Sequence, residues 1–108
     1  MATIRMTVEG KEYKLGFDRD SVKRMANKGF SFTKYMDAPI ERATELFDGA
    51  FYINDITVPQ EVKDAIWESV EDKETLCEKL IELYADVINK TFAAPGANAK
   101  KVTWEVAD

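Results

Sequence analysis

The 108-residue sequence predicts an α+β fold: an N-terminal antiparallel β-hairpin packed on about four α-helices. Three observations predict it. Apolar residues alternate as Ile4, Met6, Val8 and again as Tyr13, Leu15, Phe17, on either side of Gly10. From Val22 onward the apolar spacing changes to three and four, the period of a helix face. Helix-start and helix-stop residues then divide the remainder into short segments.

The hairpin needs a tight turn, and Gly10 supplies the positive φ that such a turn requires. Asp18 follows, with a carboxylate able to accept from the free amides of a helix start. Val22, Met25 and Ala26 form the apolar side of this first helix, and Gly29 closes it as a left-handed cap. Its outer side is basic, with Arg19, Lys23, Arg24 and Lys28. So short a helix is marginal in water alone, so it must lean on the apolar face of the hairpin.

The aromatic segment Phe30 to Met36 has no clear period. Asp37 and Pro39 then signal a second helix whose stripe is Ile40, Ala43, Leu46, Phe47, Ala50 and Phe51. Thr57 and Gln60 have capping-box spacing for a third, with Pro59 in its first turn and Val62, Ala65, Ile66, Ser69 and Val70 inward. A longer fourth helix carries Leu76, Leu80, Leu83, Tyr84, Val87 and Ile88. The link Glu71 to Glu74 leaves room only for a tight turn or kink. The expected organisation is one domain over residues 1–92, then a flexible linker and C-terminal tail over 93–108. Val102, Trp104 and Val106 alternate, so residues 102–106 either add a third strand or form a tail that orders on binding.

Composition supports a packed core: 45% of residues are hydrophobic and 11% aromatic. A lone cysteine, Cys77, forms no internal disulfide and, beside an apolar helix stripe, reads as a small buried hydrophobe. No apolar run is long enough to span a bilayer, and "MATIRMTVEG" lacks the order of a signal peptide; the expected location is the cytoplasm. Net charge is −5, which disfavours nonspecific attraction to nucleic acid or anionic membrane. Residues 1–36 hold eight Lys and Arg against four Asp and Glu, a net of +4, and residues 37–108 hold seven against sixteen, a net of −9. That asymmetry reads first as solvated surface, and second as a route to head-to-tail self-association or a complementary partner.

Histidine is absent, which removes the commonest general base and metal ligand and any Ser-His or Cys-His pair. Glu61, Asp64, Glu68 and Glu71 fall on one helix side, but no oxygen-ligand loop accompanies them and a wet helix face explains the spacing. Five scattered glycines make no phosphate-cradling loop. Neither catalytic, metal nor cofactor residues are therefore assigned. The aromatic and Met side chains carry more. Phe30, Phe32, Tyr35 and Met36 crowd one segment and either plug the core or form a recognition patch. Trp104 poses the same choice, and Trp67, beside Ile66, is expected to be partly buried.

A hairpin "MTVEGKEYKLGFDRDSVKRM", a helix ended by "KGF", then "LFDGAFYIND" and "PQEVKDAIWESV" before a long helix resembles the tail assembly chaperones of long-tailed phages and prophages. The resemblance spans residues 2–92 and rests on layout and local words. It implies a non-enzymatic protein without cofactor, acting in the bacterial host cytoplasm. Its partners would be the tape measure protein, which it coats, and the major tail protein, to which it hands that client. A small structural virion protein, such as a head–tail connector or tail completion protein, is the alternative. A DNA-binding regulator rests only on the basic first helix, and the overall acidity disfavours it.

Overall fold

The computed structural model describes residues 2–91 and 100–107. Strands β1 (Ile4–Val8) and β2 (Lys11–Leu15) pair antiparallel in a two-stranded sheet, with Ile4 opposite Leu15 and Met6 opposite Tyr13. The two-residue turn places Glu9 at φ 48° and Gly10 at φ 82°, the pair of positive angles that suits the twist of a hairpin. The apolar side thus gathers Ile4, Met6, Tyr13 and Leu15, as the alternation predicts. The outer edge of β2 is closed by a side chain. Asn54 Oδ1 accepts from the Lys14 amide at 3.0 Å, and Asn54 Nδ2 donates to the Lys14 carbonyl at 2.8 Å.

Helix α1 (Arg19–Asn27) is bracketed at both ends by local chemistry. Ser21 donates its amide to Asp18 Oδ1 at 2.7 Å, and the Asp18 amide donates to Ser21 Oγ at 2.9 Å, a reciprocal capping box. At the other end Gly29 takes φ 93°. The amide of Phe30 then reaches the Met25 carbonyl and that of Gly29 the Ala26 carbonyl, each at 3.0 Å. This is a Schellman ending, and its apolar contact is Met25 with Phe30, both buried.

Phe32–Asp37, which shows no period in the sequence, is helix α2, with Ser31 Oγ accepting from the Lys34 amide. Five α-helices are therefore described in place of about four. Asp37 ends α2 instead of starting the next helix. Helix α3 (Pro39–Ala50) begins with Pro39 behind an Ala38 that offers no side-chain cap. Proline at the first position needs no amide partner, so the helix starts without one. Ile40 does not join the stripe and is 94% exposed, since it lies in that first turn, beyond the cover of the core. A 3-10 turn, Phe51–Ile53, follows.

Helix α4 (Gln60–Ser69) also departs from expectation. Thr57 and Gln60 form no capping box; Pro59 precedes the helix, and Gln60 Nε2 instead donates to Asp48 Oδ2 at 3.0 Å and Asp64 Oδ1 at 2.9 Å. Ala65 and Ser69 face solvent, while Lys63, Ile66 and Trp67 turn toward the protein. Helix α5 (Lys73–Thr91) follows the sharp link at Glu71 and Asp72, with Asp72 Oδ1 accepting from the Thr75 amide at 3.1 Å. Leu80 and Tyr84 are buried, and Cys77 with them.

Two chains of aromatic contacts tie these pieces together. Tyr13, Phe51, Phe47 and Trp67 meet in sequence at centroid separations of 5.8, 5.0 and 5.0 Å. Phe17 meets Tyr84 at 5.4 Å, Tyr84 meets Phe30 at 5.3 Å, and Phe30 meets Tyr35 at 6.2 Å. Each such pair adds roughly 0.5–1.5 kcal/mol beyond area burial, so the ring chains anchor the small hairpin to the helices. Of the two alternatives for residues 102–106, the third strand is not formed: these residues lie outside the sheet and are exposed. The linker expected over 93–99 lies outside the described residues. Among the described residues no helix is long and apolar enough to cross a membrane.

Candidate functional site

The Phe30 to Met36 segment divides its side chains between core and solvent. The Schellman ending aims Phe30 inward, where Tyr84 packs against it, and the first turn of α2 brings Tyr35 into the same cluster. Phe32 and Met36, one helical turn apart, face the other way and are 39% and 58% exposed. Ile40 continues the run of exposed apolar side chains onto the start of α3. The choice between core plug and recognition patch thus has a different answer for each pair of residues.

Trp67 is half-buried, as expected, tilted against Phe47 with Lys73 Nζ 5.7 Å from its ring centroid. Trp104 is 84% exposed, and its neighbours Val102 and Val106 are exposed with it. The six predicted contact residues therefore do not form one site. Phe30, Tyr35 and Trp67 serve packing, whereas Phe32, Met36 and Trp104 stand at the surface.

A second cluster escaped the sequence reading. Tyr52 is surrounded by cations: Arg24 Cζ lies 4.1 Å from its ring centroid, Lys28 Nζ 5.1 Å and Lys63 Nζ 5.6 Å. Lys28 also donates to Tyr52 Oη at 2.8 Å. Arg24 in the last turn of α1 and Lys28, which caps that helix, stand four apart and so meet there. Lys63 is only 7% exposed, and its sequence signal was its register: Lys63, Ile66, Trp67 and Val70 make an inward stripe that includes a lysine. These residues border a cavity of about 310 Å³ together with Asp55, Thr57 and Val58.

Other polar groups are placed for stability. The Cys77 thiol is buried beside the Tyr35 hydroxyl; burial pushes the thiol up, and burial together with Cys77 pushes Tyr35 up. Such a thiol is held away from the reactive thiolate form. Burial also raises Asp48, against the lowering effect of the Gln60 hydrogen bond and of Lys63. Glu61, Asp64, Glu68 and Glu71 are exposed, and among the described residues no group of three or more Cys, Asp or Glu side chains converges on one point.

Residues 1–107 match the family described as Domain of unknown function (DUF5055). No curated protein and no solved structure matches the chain.

Proposed function

This chain belongs to the DUF5055 family, a domain of unknown function, and we propose that it acts by protein contact, as a non-enzymatic phage tail assembly chaperone. In this reading it binds the tape measure protein in the bacterial host cytoplasm and promotes tail-tube assembly with the major tail protein. The observation that carries the protein-contact reading is the exposure of large apolar side chains in two places. Phe32, Met36 and Ile40 stand out from α2 and the start of α3, and Val102, Trp104 and Val106 from the C-terminal segment. Apolar side chains grouped in this way mark surfaces that another protein covers. Each square ångström so covered returns roughly 25 cal/mol, which is what a partner would supply. The more specific assignment to tail assembly is supported by the order of elements: a hairpin, a short basic helix ended at "KGF", and a long helix after "PQEVKDAIWESV".

Gene order and particle composition test it. The reading expects a tape measure gene directly downstream, a major tail protein gene upstream, and no copies of the chain in purified particles. Persistent copies in the virion would assign the chain to the structural alternative instead, and a neighbourhood with no viral genes would end both.

A further inference from the structure

We propose that the cavity bounded by Arg24, Lys28, Tyr52 and Lys63 binds a phosphate-type oxyanion, either inorganic phosphate or a phosphomonoester. The inference is independent of the chaperone reading, because none of these residues belongs to the exposed apolar positions that carry it.

Three cations all lie within 5.6 Å of one ring centroid. Arg24 and Lys28, at the end of α1, are exposed, but the Lys63 residue is more than nine-tenths buried. Among the described residues Lys63 forms no ion pair; its ammonium stands 5.6 Å from the Tyr52 ring centroid and within the charge field of Asp48. The stem of Lys63 is buried while its ammonium reaches solvent at the cavity, where an anion can meet it. The wall opposite adds donors. Asp55 to Val58 make no backbone hydrogen bond among the described residues, and Thr57 also lines the space.

Charge selects the ligand. Against the three cations the lining holds one carboxylate, Asp55, and Asp48 acts on Lys63 and Lys28 from beside it, so the site stays net positive by about one charge. A phosphate near neutral pH carries close to two negative charges and several acceptor oxygens, and can take donors from Arg and Lys together. A carboxylate offers one charge and two oxygens. Burial pushes the Asp48 carboxyl up while the charges of Lys63 and Lys28 oppose that rise, so Asp48 competes with a bound anion for these two cations.

The test is a titration of the isotope-labelled full chain with inorganic phosphate, with a simple phosphomonoester such as glycerol phosphate, and with acetate, at constant ionic strength. Saturable movement of the Asp55 and Thr57 amides and the Tyr52 ring with either phosphate is expected, and the stronger of the two identifies the source. Lys63→Met should weaken binding about tenfold to a hundredfold, the loss of one charge-assisted hydrogen bond. Lys63→Arg should retain it, Lys23→Gln should leave it unchanged, and Asp48→Asn should tighten it. If Lys63→Met does not fold, Arg24→Gln at its exposed position carries the same expectation of weakening. Absence of saturable movement with both phosphates, equal binding by wild type and Arg24→Gln, or saturation by acetate alone would overturn the proposal.

Discussion

The Met25 side chain lies across the place where Gly49 would carry a side chain: a Cβ there would stand 2.5 Å from Met25 Cε and 2.8 Å from its Cγ. Both residues are buried, and their contact sets how closely α1 approaches α3. Gly49→Ala therefore sets two effects against each other. Overpacking costs about 1–3 kcal/mol, and better helix propensity returns at most about 1 kcal/mol. A net loss near 1 kcal/mol should lower the Tm by roughly 4–8 °C. Combined with Met25→Ala, the loss should be smaller than the sum of the single changes, by about 0.5 kcal/mol or more. A Tm raised by Gly49→Ala would show that Met25 moves aside at little cost.

The two ends of α1 should be separately measurable. Asp18→Ala removes the acceptor for the Ser21 amide and should cost about 1 kcal/mol in urea unfolding. Gly29→Ala forces a side chain to φ 93°, again about 1 kcal/mol, with no clash because nothing lies within 4 Å of the added carbon. Gly29→Asn should lose less, because asparagine tolerates the left-handed region better. Equal losses for alanine and asparagine would place the cost elsewhere.

Neighbouring aromatics should respond very differently. Phe30→Ala empties a site between Tyr35 and Tyr84 and should cost about 3–5 kcal/mol. Phe32→Ser and Met36→Ser, at exposed positions of α2, should stay within about 0.5 kcal/mol of wild type. Denaturant midpoints check this directly, and a large loss at Phe32 would mean that it belongs to the core.

The sequence made most of the architecture legible and misread it where tertiary demand prevailed. The alternation on both sides of Gly10, and the Asp18 and Gly29 signals, were readable because each expresses a local backbone requirement. Helix α2 was not, because its six residues are too few to show a period against the aromatic background. Thr57 and Gln60 matched a capping pattern, but Gln60 found better-placed carboxylates at Asp48 and Asp64. Among the candidate contacts, composition could not separate Phe30 from Phe32; a glycine-ended helix turns one inward and leaves the other in solvent. The Lys63 cluster was hidden because its members come from α1, α4 and the 3-10 turn.

Rising alkaline pH should lower the stability of the fold. Burial raises Cys77, Tyr35 and Tyr84 above their ordinary values of 9.0, 10.0 and 10.0. Folded values above unfolded ones mean that the unfolded chain releases its protons first as pH climbs. Stability is then whole below 9.0 and falls as pH rises through these values. Thermal unfolding followed across that range should show a falling Tm, and Cys77→Val should remove the earliest part of the fall. A flat profile would mean that these groups titrate alike in the folded and unfolded chain.

Co-expression with the tape measure protein tests the central claim most directly, by measuring how much of that protein stays soluble. The proposed function predicts soluble tape measure protein beside the wild-type chain. It also predicts loss of that protection in a chain carrying Phe32→Ser, Met36→Ser, Ile40→Ser and Trp104→Ser, with an unchanged circular dichroism spectrum. Tape measure protein that precipitates equally with and without the wild-type chain would contradict it.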